Sequence, residues 1–226
     1  AARPTPNAQT IELLPISEAG RYRANLASTS STSRSDPPAC PPSGTACQIE
    51  VLSPGVTAAN VGNARWMVIY NIGANAVGDS VWPPYNANAA AVQSIIPPAG
   101  VTFALNSGQL VLGGANAANF RFKYASPQHR FYLAQEVLGY TCVNPGVDAN
   151  GTGTGTIRRA SFNSLANSYS YTTANSAVLV DSVSACAFTY APGTSTRGGL
   201  VTLRLGLQRE SEQIVLLQQV HVDNAP

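Results

Sequence analysis

Histidine and carboxylate side chains are the residues of this sequence that could perform acid–base chemistry. Its two histidines are His129, beside a turn in "SPQHRF", and His221, near the C-terminus. Serine is abundant, but no G-x-S-x-G segment marks a nucleophile elbow. The acidic residues are scattered, and the one close pair, Glu210 and Glu212, falls in the turn "RESE" rather than in a cleft where two carboxylates could share acid and base roles. The sequence therefore predicts no catalytic site, and both histidines are expected to be exposed.

Two other patterns could bind ligands. The segment "GVDANGTGTGT" (146–156) offers oxygens of Asp148 and Asn150 to Ca²⁺, but it holds one carboxylate and lacks EF-hand spacing, so we expect a flexible tip. Basic and aromatic residues also interleave as they do in proteins that bind single-stranded nucleic acid. Strand alternation produces the same pattern, and we expect neither a metal, nor another cofactor, nor nucleic acid. The interleaved residues are Arg121, Phe122, Lys123, Tyr124, Arg130 and Phe131.

The four cysteines, Cys40, Cys47, Cys142 and Cys186, allow three disulfide pairings. Cys40 and Cys47 bracket the loop "CPPSGTAC", while Cys142 and Cys186 each end a strand-like segment. On the loop-entropy model, a Cys142–Cys186 bond would stabilise the fold by about 4 kcal/mol and a Cys40–Cys47 bond by about 2.5 kcal/mol. A zinc site is the alternative, but no C-x-x-C occurs and the histidines lie far from the first two cysteines. We expect two disulfides and an oxidising compartment.

The amino-acid composition argues against some classes of protein. Charged residues make up 11% of the 226-residue chain, less than half the usual share, and the formal net charge is +2. So small a charge does not indicate attraction to nucleic acid or membranes. No segment approaches the ~20 apolar residues of a membrane span, and residues 1–15 do not resemble a signal peptide.

Short alternating apolar runs separated by turn residues predict a mainly β fold with antiparallel sheets in one domain, 1–226. We expect residues 10–16 to pair with "RYRANL", 65–73 to form a central strand, and "VTFAL" to pair with "QLVLG" across "NSG". A bulge is expected near Asp181 and a helical turn at 86–94. The Ser/Thr/Pro-rich segment 27–47 reads as a low-complexity loop pinned by a disulfide.

The C-terminal segment predicts a hairpin. Residues 200–208 and 213–222 both alternate apolar and polar side chains, with "RESE" between them. This is the pattern of half-buried antiparallel strands. We expect the last strand to be central or near-central in its sheet.

Taken in order, several of these segments resemble a known family. They are "IELLPISEAGRYRA", "MVIYNIG", "SPQHRFYLAQEVLGYTC", "TIRRASF", "VLVDSVSACAFTY" and "GLVTLRLGLQRESEQIVLLQQVHVDNAP". Together they look like the periplasmic head of a prepilin-type protein: a type IV minor pilin of the O type of MSHA biogenesis and, more distantly, a J-type minor pseudopilin of type II secretion. The resemblance covers most of the chain from Ile11 onward, and segment 27–47 departs from it.

The resemblance implies a pilin-like α+β head whose N-terminal helix is largely absent, with Ala1 about where that helix would end. It implies that the last strands lock the head and that a Cys142–Cys186 bond staples it. The implied role is non-catalytic: a subunit that helps to assemble, prime or cap a pilus or a secretion filament. The implied partners are other minor pilins, the major pilin and the inner membrane, and the isolated head would be a monomer. The protein would face the periplasm of a bacterium and then reach the pilus and cell surface.

A secreted or surface β-rich binding module, an adhesin or carbohydrate-binding domain, is the alternative function. It would require exposed aromatic side chains that cluster on one face. Trp66, Trp82 and Tyr85 are the candidates, although Trp66 in "RWMVIY" is expected in the core and "WPPY" in a rigid loop.

Overall fold

The computed structural model describes residues 1–5, 7–23, 36–41, 47–71, 77–84, 93–193 and 198–222. Within these ranges the chain folds mainly into antiparallel β-strands with one short α-helix, so the expected fold class is confirmed. None of the helical segments found there has the length and apolar character needed to cross a bilayer.

The elements follow one another from the N-terminus to the C-terminus. In chain order the strands are β1 (Ala2–Pro4), β2 (Thr10–Leu13), β3 (Glu18–Arg21), β4 (Cys47–Glu50), β5 (Trp66–Val68), β6 (Gln93–Ser94), β7 (Thr102–Asn106), β8 (Gln109–Gly113), β9 (Arg121–Phe122), β10 (Arg130–Ala134), β11 (Val137–Val143), β12 (Gly155–Phe162), β13 (Ser176–Ala191), β14 (Gly199–Arg209) and β15 (Glu212–Val222). Helix α1 spans Ala58–Gly62, and a 3-10 turn spans Ala115–Ala117.

Backbone contacts divide the chain into two compact units. Unit 1 contains Ala1–Leu14, Glu136–Ser164 and Ser168–Ala225, and unit 2 contains Pro15–Gln135, Leu165–Asn167 and Pro226. The assignment of 1–226 to a single pilin-like head domain stays a prediction.

Unit 1 is built on one seven-stranded antiparallel sheet in the order β1-β2-β11-β12-β13-β14-β15. Strand β2 pairs with β1 and β11, whereas β3 pairs with β10 in the other unit. The expected pairing of residues 10–16 with "RYRANL" is therefore wrong. Residues 10–13 form a strand, whereas "RYRANL" contributes Arg21 to the end of β3 and its residues 24–26 lie outside the described residues. Alternation identifies a strand without identifying its neighbour.

Strand β13 is 16 residues long and carries the expected bulge. The register shifts around Val180 and Val183 on the β12 side and between Val183 and Ala185 on the β14 side, and Ser182 has a φ of 55°. An extra residue on one strand bends it and increases its twist. The first half of β13 consequently pairs with β12 and the second half with β14.

Strands β14 and β15 form the predicted C-terminal hairpin, with a regular register from Arg209↔Glu212 to Gly199↔Val222. Glu210 and Ser211 make its two-residue turn, and both have positive φ (50° and 70°), as the turns that match strand twist require. However, β15 is the edge strand of the sheet, and its residues from Glu212 to His221 are exposed. The expectation of a central, half-buried last strand is wrong.

Unit 2 contains three small sheets, β3-β10-β5, β4-β8-β7 and a parallel pair β6-β9. They surround a core whose fully buried members include Tyr22, Ile49, Met67, Leu110 and Phe131. Alternating side chains on short strands supply this core, so each strand contributes only a few of its residues.

Several sequence predictions concern unit 2. The hairpin of β7 and β8 is confirmed, with Ser107 and Gly108 in the turn at φ 49° and 79°. Strand β5 is buried as expected, but it lies at the edge of its sheet, so its predicted central place is wrong. Of the predicted helical turn, 86–92 lie outside the described residues, and Gln93–Ser94 form β6.

Candidate functional site: the disulfide face of the seven-stranded sheet

Both predicted disulfides are present. Cys142 on β11 is bonded to Cys186 on β13, a sequence separation of 44, and Cys40 is bonded to Cys47, a separation of 7. The Cys142–Cys186 bond joins two strands that flank β12 in the sheet. Because sulfurs in a disulfide are not thiolate ligands, the alternative zinc site is excluded for these four residues.

One face of the seven-stranded sheet, here called the disulfide face, is apolar across all its inner strands. It carries Ile11, Cys142, Ile157, Phe188 and Leu205, each at most 6% exposed. Residues directly opposite each other in antiparallel strands share a face. The registers Ile11↔Tyr140, Cys142↔Ile157 and Cys186↔Leu205 therefore place these side chains on a common surface.

The disulfide face continues onto the edge strand, where it is no longer covered. Ile214, Leu216 and Val220 on β15 lie opposite Leu207, Leu205 and Val201 on β14. They are 62%, 49% and 53% exposed, although Leu205 beside them is buried. Exposed apolar side chains that lie close together are a common feature of interaction surfaces.

The opposite face of the sheet holds a buried carboxylate that the sequence patterns do not reveal. Glu12 on β2 is 3% exposed, and Arg3 on β1 donates to its Oε2 from Nε at 2.8 Å and also from a terminal guanidinium nitrogen. The Tyr171 hydroxyl donates to the other oxygen, Oε1, at 3.1 Å. Glu12 is thus paired on both oxygens, as a buried charge requires.

The loop between β12 and β13 covers this face. Tyr171 lies over Gly139, where a Cβ would come within 2.3 Å of the Tyr171 hydroxyl oxygen, so a side chain at position 139 would displace the tyrosine ring. Tyr169 stacks on Phe162 with ring centroids 4.2 Å apart. Burial, and then the neighbouring Glu12 carboxylate, raise the pKa of Tyr171 above its usual range. This cluster anchors a loop and offers no open site.

The Gly/Thr loop at 146–156 uses its single carboxylate to stabilise its own turn. Oδ1 of Asp148 accepts the backbone N–H groups of Asn150 at 2.9 Å and Thr152 at 2.8 Å. Among the described residues, no three His, Cys, Asp or Glu side chains come together as metal ligands would.

The same loop is hydrogen bonded to the turn of the C-terminal hairpin. The N–H of Gly153 donates to the Gln208 carbonyl at 2.8 Å, and the N–H of Ser211 donates to the Gly151 carbonyl at 2.9 Å. A Cβ on Gly153 would lie 2.1 Å from the Ser182 carbonyl oxygen. The segment expected to be a flexible tip is thus hydrogen bonded to the hairpin, and its glycines allow the loop to approach the sheet closely.

The two histidines belong to different units, His221 to unit 1 and His129 to unit 2. His221 on β15 is exposed, as expected. The His129 side chain is 39% exposed, and its Nε2 lies 3.2 Å from Oδ2 of Asp36. The other oxygen, Oδ1 of Asp36, accepts the Tyr22 hydroxyl at 3.2 Å. In the described part of the chain, no serine hydroxyl is hydrogen bonded to His129, so the residues around it do not form a nucleophile–base pair.

The interleaved basic and aromatic residues lie on the short strands β9 and β10 and on the bend that follows β9. Phe122 and Phe131 are buried in the core of unit 2, while Arg121 points outward. Lys123 Nζ lies 2.6 Å from Oδ1 of the buried Asp79, and that hydrogen bond raises the pKa of Lys123. The arrangement lacks the exposed aromatic platforms on which bases stack.

Both described aromatic residues named for a binding module are buried. Trp66 is 8% exposed, as expected for a core residue, and Trp82 is 7% exposed. Tyr85 lies outside the described residues. The two turn acids, Glu210 and Glu212, are exposed on the hairpin tip, as predicted.

Comparison of the chain with models of protein families, with curated proteins and with solved structures finds no match.

Proposed function

We propose that this chain is the head of a minor pilin or minor pseudopilin, a subunit that helps to assemble, prime or cap a type IV pilus or a type II secretion-like filament. The supporting observation is the disulfide face, which is buried on the inner strands and exposed at Ile214, Leu216 and Val220 on β15. A pilin head needs such a surface, because an apolar helix must pack on its sheet. The sequence resemblance to this family supplies the identity of the helix, an N-terminal membrane anchor.

The size of the exposed patch fits a packed helix. Fully burying a Leu, Ile or Val side chain stabilises a fold by roughly 1.5–3 kcal/mol. Since Ile214, Leu216 and Val220 are about half exposed, a covering helix would gain about 1 kcal/mol from each. These contacts would fix the orientation of the head relative to its anchor helix.

The two disulfides support an oxidising compartment such as the bacterial periplasm. The proposed protein is anchored in the inner membrane, faces the periplasm and then joins the pilus at the cell surface. Its proposed partners are other minor pilins and the major pilin. Its role is structural rather than catalytic.

Substitution of the patch in the cells that make the protein tests this proposal. Leu216→Lys places a charge on the disulfide face at a position that is 49% exposed, so the chain should still fold. We expect the variant to accumulate but to reduce filament assembly at least about tenfold, because a buried lysine opposes helix packing.

Leu52→Lys is the matched control, because Leu52 is also 49% exposed and lies in unit 2. It should leave filament number unchanged. If Leu216→Lys assembled filaments as well as Leu52→Lys does, the disulfide face would have no part in assembly.

A further inference from the structure

The C-terminal hairpin has a second feature, distinct from the disulfide face: the outer backbone edge of β15. In the part of the chain that the structure describes, β15 pairs with β14 alone. A strand at a sheet edge presents unpaired backbone N–H and C=O groups, which can pair with another chain. Proteins usually block such edges with short strands, proline, lysine or bulges.

The two edges of the seven-stranded sheet differ in this respect. The edge strand β1 has three residues and ends at Pro4, which cannot donate a hydrogen bond. The edge strand β15 has 11 residues, contains no proline, glycine or lysine, and follows β14 without a register shift. Only β15 therefore offers a long, regular edge.

The turn fixes which backbone groups of β15 face outward. In a two-residue turn, the N–H of the residue after the turn donates to the carbonyl of the residue before it. Glu212 therefore directs its backbone groups to Arg209 on β14. Since successive residues of a strand alternate, Val215, Leu217 and Gln219 direct theirs to the free edge.

We propose that the β15 edge binds the β15 edge of a second copy of this chain, antiparallel about a two-fold axis through Leu217. Leu217 is the middle of the 11-residue strand, so this register pairs all 11 residues and places each face of one sheet level with the same face of the other. Ile214 then lies opposite Val220 of the second copy, and Leu217 lies opposite Leu217. Neither the pairing nor its test depends on a pilin function.

The distribution of charge on β15 favours a second copy of this chain as the partner and favours antiparallel pairing. Glu212 is the one acidic or basic residue of β15 apart from His221. Antiparallel pairing separates the two Glu212 carboxylates by about 34 Å along the strands, well beyond the screening length of roughly 8–10 Å. Parallel pairing would place them side by side. A highly charged partner strand would find few charged side chains on β15 with which to form ion pairs.

The area indicates a weak, reversible dimer. Val215 and Leu217 add exposed apolar surface, at 53% and 66%. Even so, one strand pair buries less than the ~1,600 Å² of a standard interface, so we expect a dissociation constant in the micromolar range. The resemblance to pilins implies instead that the isolated head is a monomer, so the oligomeric state in solution distinguishes that expectation from the proposed dimer.

Sedimentation equilibrium of the full chain from about 1 to 500 µM tests the proposal. The expected result is a monomer–dimer equilibrium that Leu217→Lys weakens at least about tenfold, since two lysines would meet at the two-fold axis. Leu52→Lys, at a position that is 49% exposed in unit 2, should not change it. A monomer at all concentrations, or equal weakening by both variants, would overturn the proposal.

Cross-linking tests the register. In the dimer, the Cα atoms of the two residues 217 are about 5.5 Å apart, within disulfide range, while the two residues 215 are about 14 Å apart. Oxidised Leu217→Cys should therefore form a covalent dimer and Val215→Cys should not. Both positions lie on one face of one strand, so equal cross-linking of the two variants would rule the register out.

Discussion

At the scale of single residues, the sheet of unit 1 depends on contacts that strand alternation does not reveal. Glu12 and Tyr171 are separated by 159 positions in sequence. Glu12 lies between two apolar residues of β2, and nothing in that pattern names its partners. The contact follows from the order of the strands and from the space above Gly139.

Replacing Tyr171 tests this cluster. Tyr171→Phe removes the hydroxyl that donates to Glu12, and we expect the free energy of unfolding to fall by about 1–2 kcal/mol. Tyr169→Phe is the control, because the Tyr169 hydroxyl donates to an exposed backbone carbonyl, that of Ser164. Its cost should stay below about 1 kcal/mol. Chemical denaturation of both variants measures the difference.

The same variant changes the response to alkaline pH. The pKa of Tyr171 is raised in the folded chain by burial and by Glu12, so above pH ~10 the unfolded chain loses this proton while the folded chain keeps it. The unfolded state then binds fewer protons, and stability falls as pH rises. Tyr171→Phe should make that fall shallower. An unchanged slope between pH 9 and 11 would contradict the assignment.

Gly153 shows a second residue-level constraint. A methyl group at this position would lie 2.1 Å from the Ser182 carbonyl oxygen, so the loop can pack this closely only without a Cβ. We expect Gly153→Ala to lower the free energy of unfolding by about 2–3 kcal/mol, because backbone must move. Gly55→Ala has no atom within 4 Å of the new methyl group and should change stability by less than about 0.5 kcal/mol. Equal midpoints in a denaturant titration would refute the close approach.

At the scale of elements, local signals predicted hairpins well and non-local pairing poorly. Ser107-Gly108 and Glu210-Ser211 join strands that are adjacent in sequence, so the turn chemistry specifies both strands. In contrast, β2 reaches its neighbour β11 across more than 120 residues. Its register depends on which partner buries the apolar side chains of both strands, which a single segment does not encode.

Removal of each disulfide tests how much that bond contributes to the stability of the fold. Cys142→Ala/Cys186→Ala opens the longer loop, with a separation of 44, and should cost about 4 kcal/mol. Cys40→Ala/Cys47→Ala opens a loop with a separation of 7 and should cost about 2.5 kcal/mol. Denaturant titration of the two double variants compares them. A larger loss from the Cys40–Cys47 pair would show that loop entropy does not control their contributions.

At the scale of the whole molecule, the alternating pattern of the sequence predicted the mainly β class. It did not predict that β15 would be an exposed edge. Alternation in residues 213–222 indicates that one face is apolar, but not whether anything in the chain covers it. For the exposed β15 portion of the disulfide face, the proposed function supplies a covering helix.

The most direct test of that function is mass spectrometry of the N-terminal peptide of the native protein from its own cells. We expect an N-methylated Phe that begins an apolar helix leading into the head. A conventional signal-peptidase cleavage site close to Ala1 would contradict it, because the disulfide face would then have no anchor helix to bind.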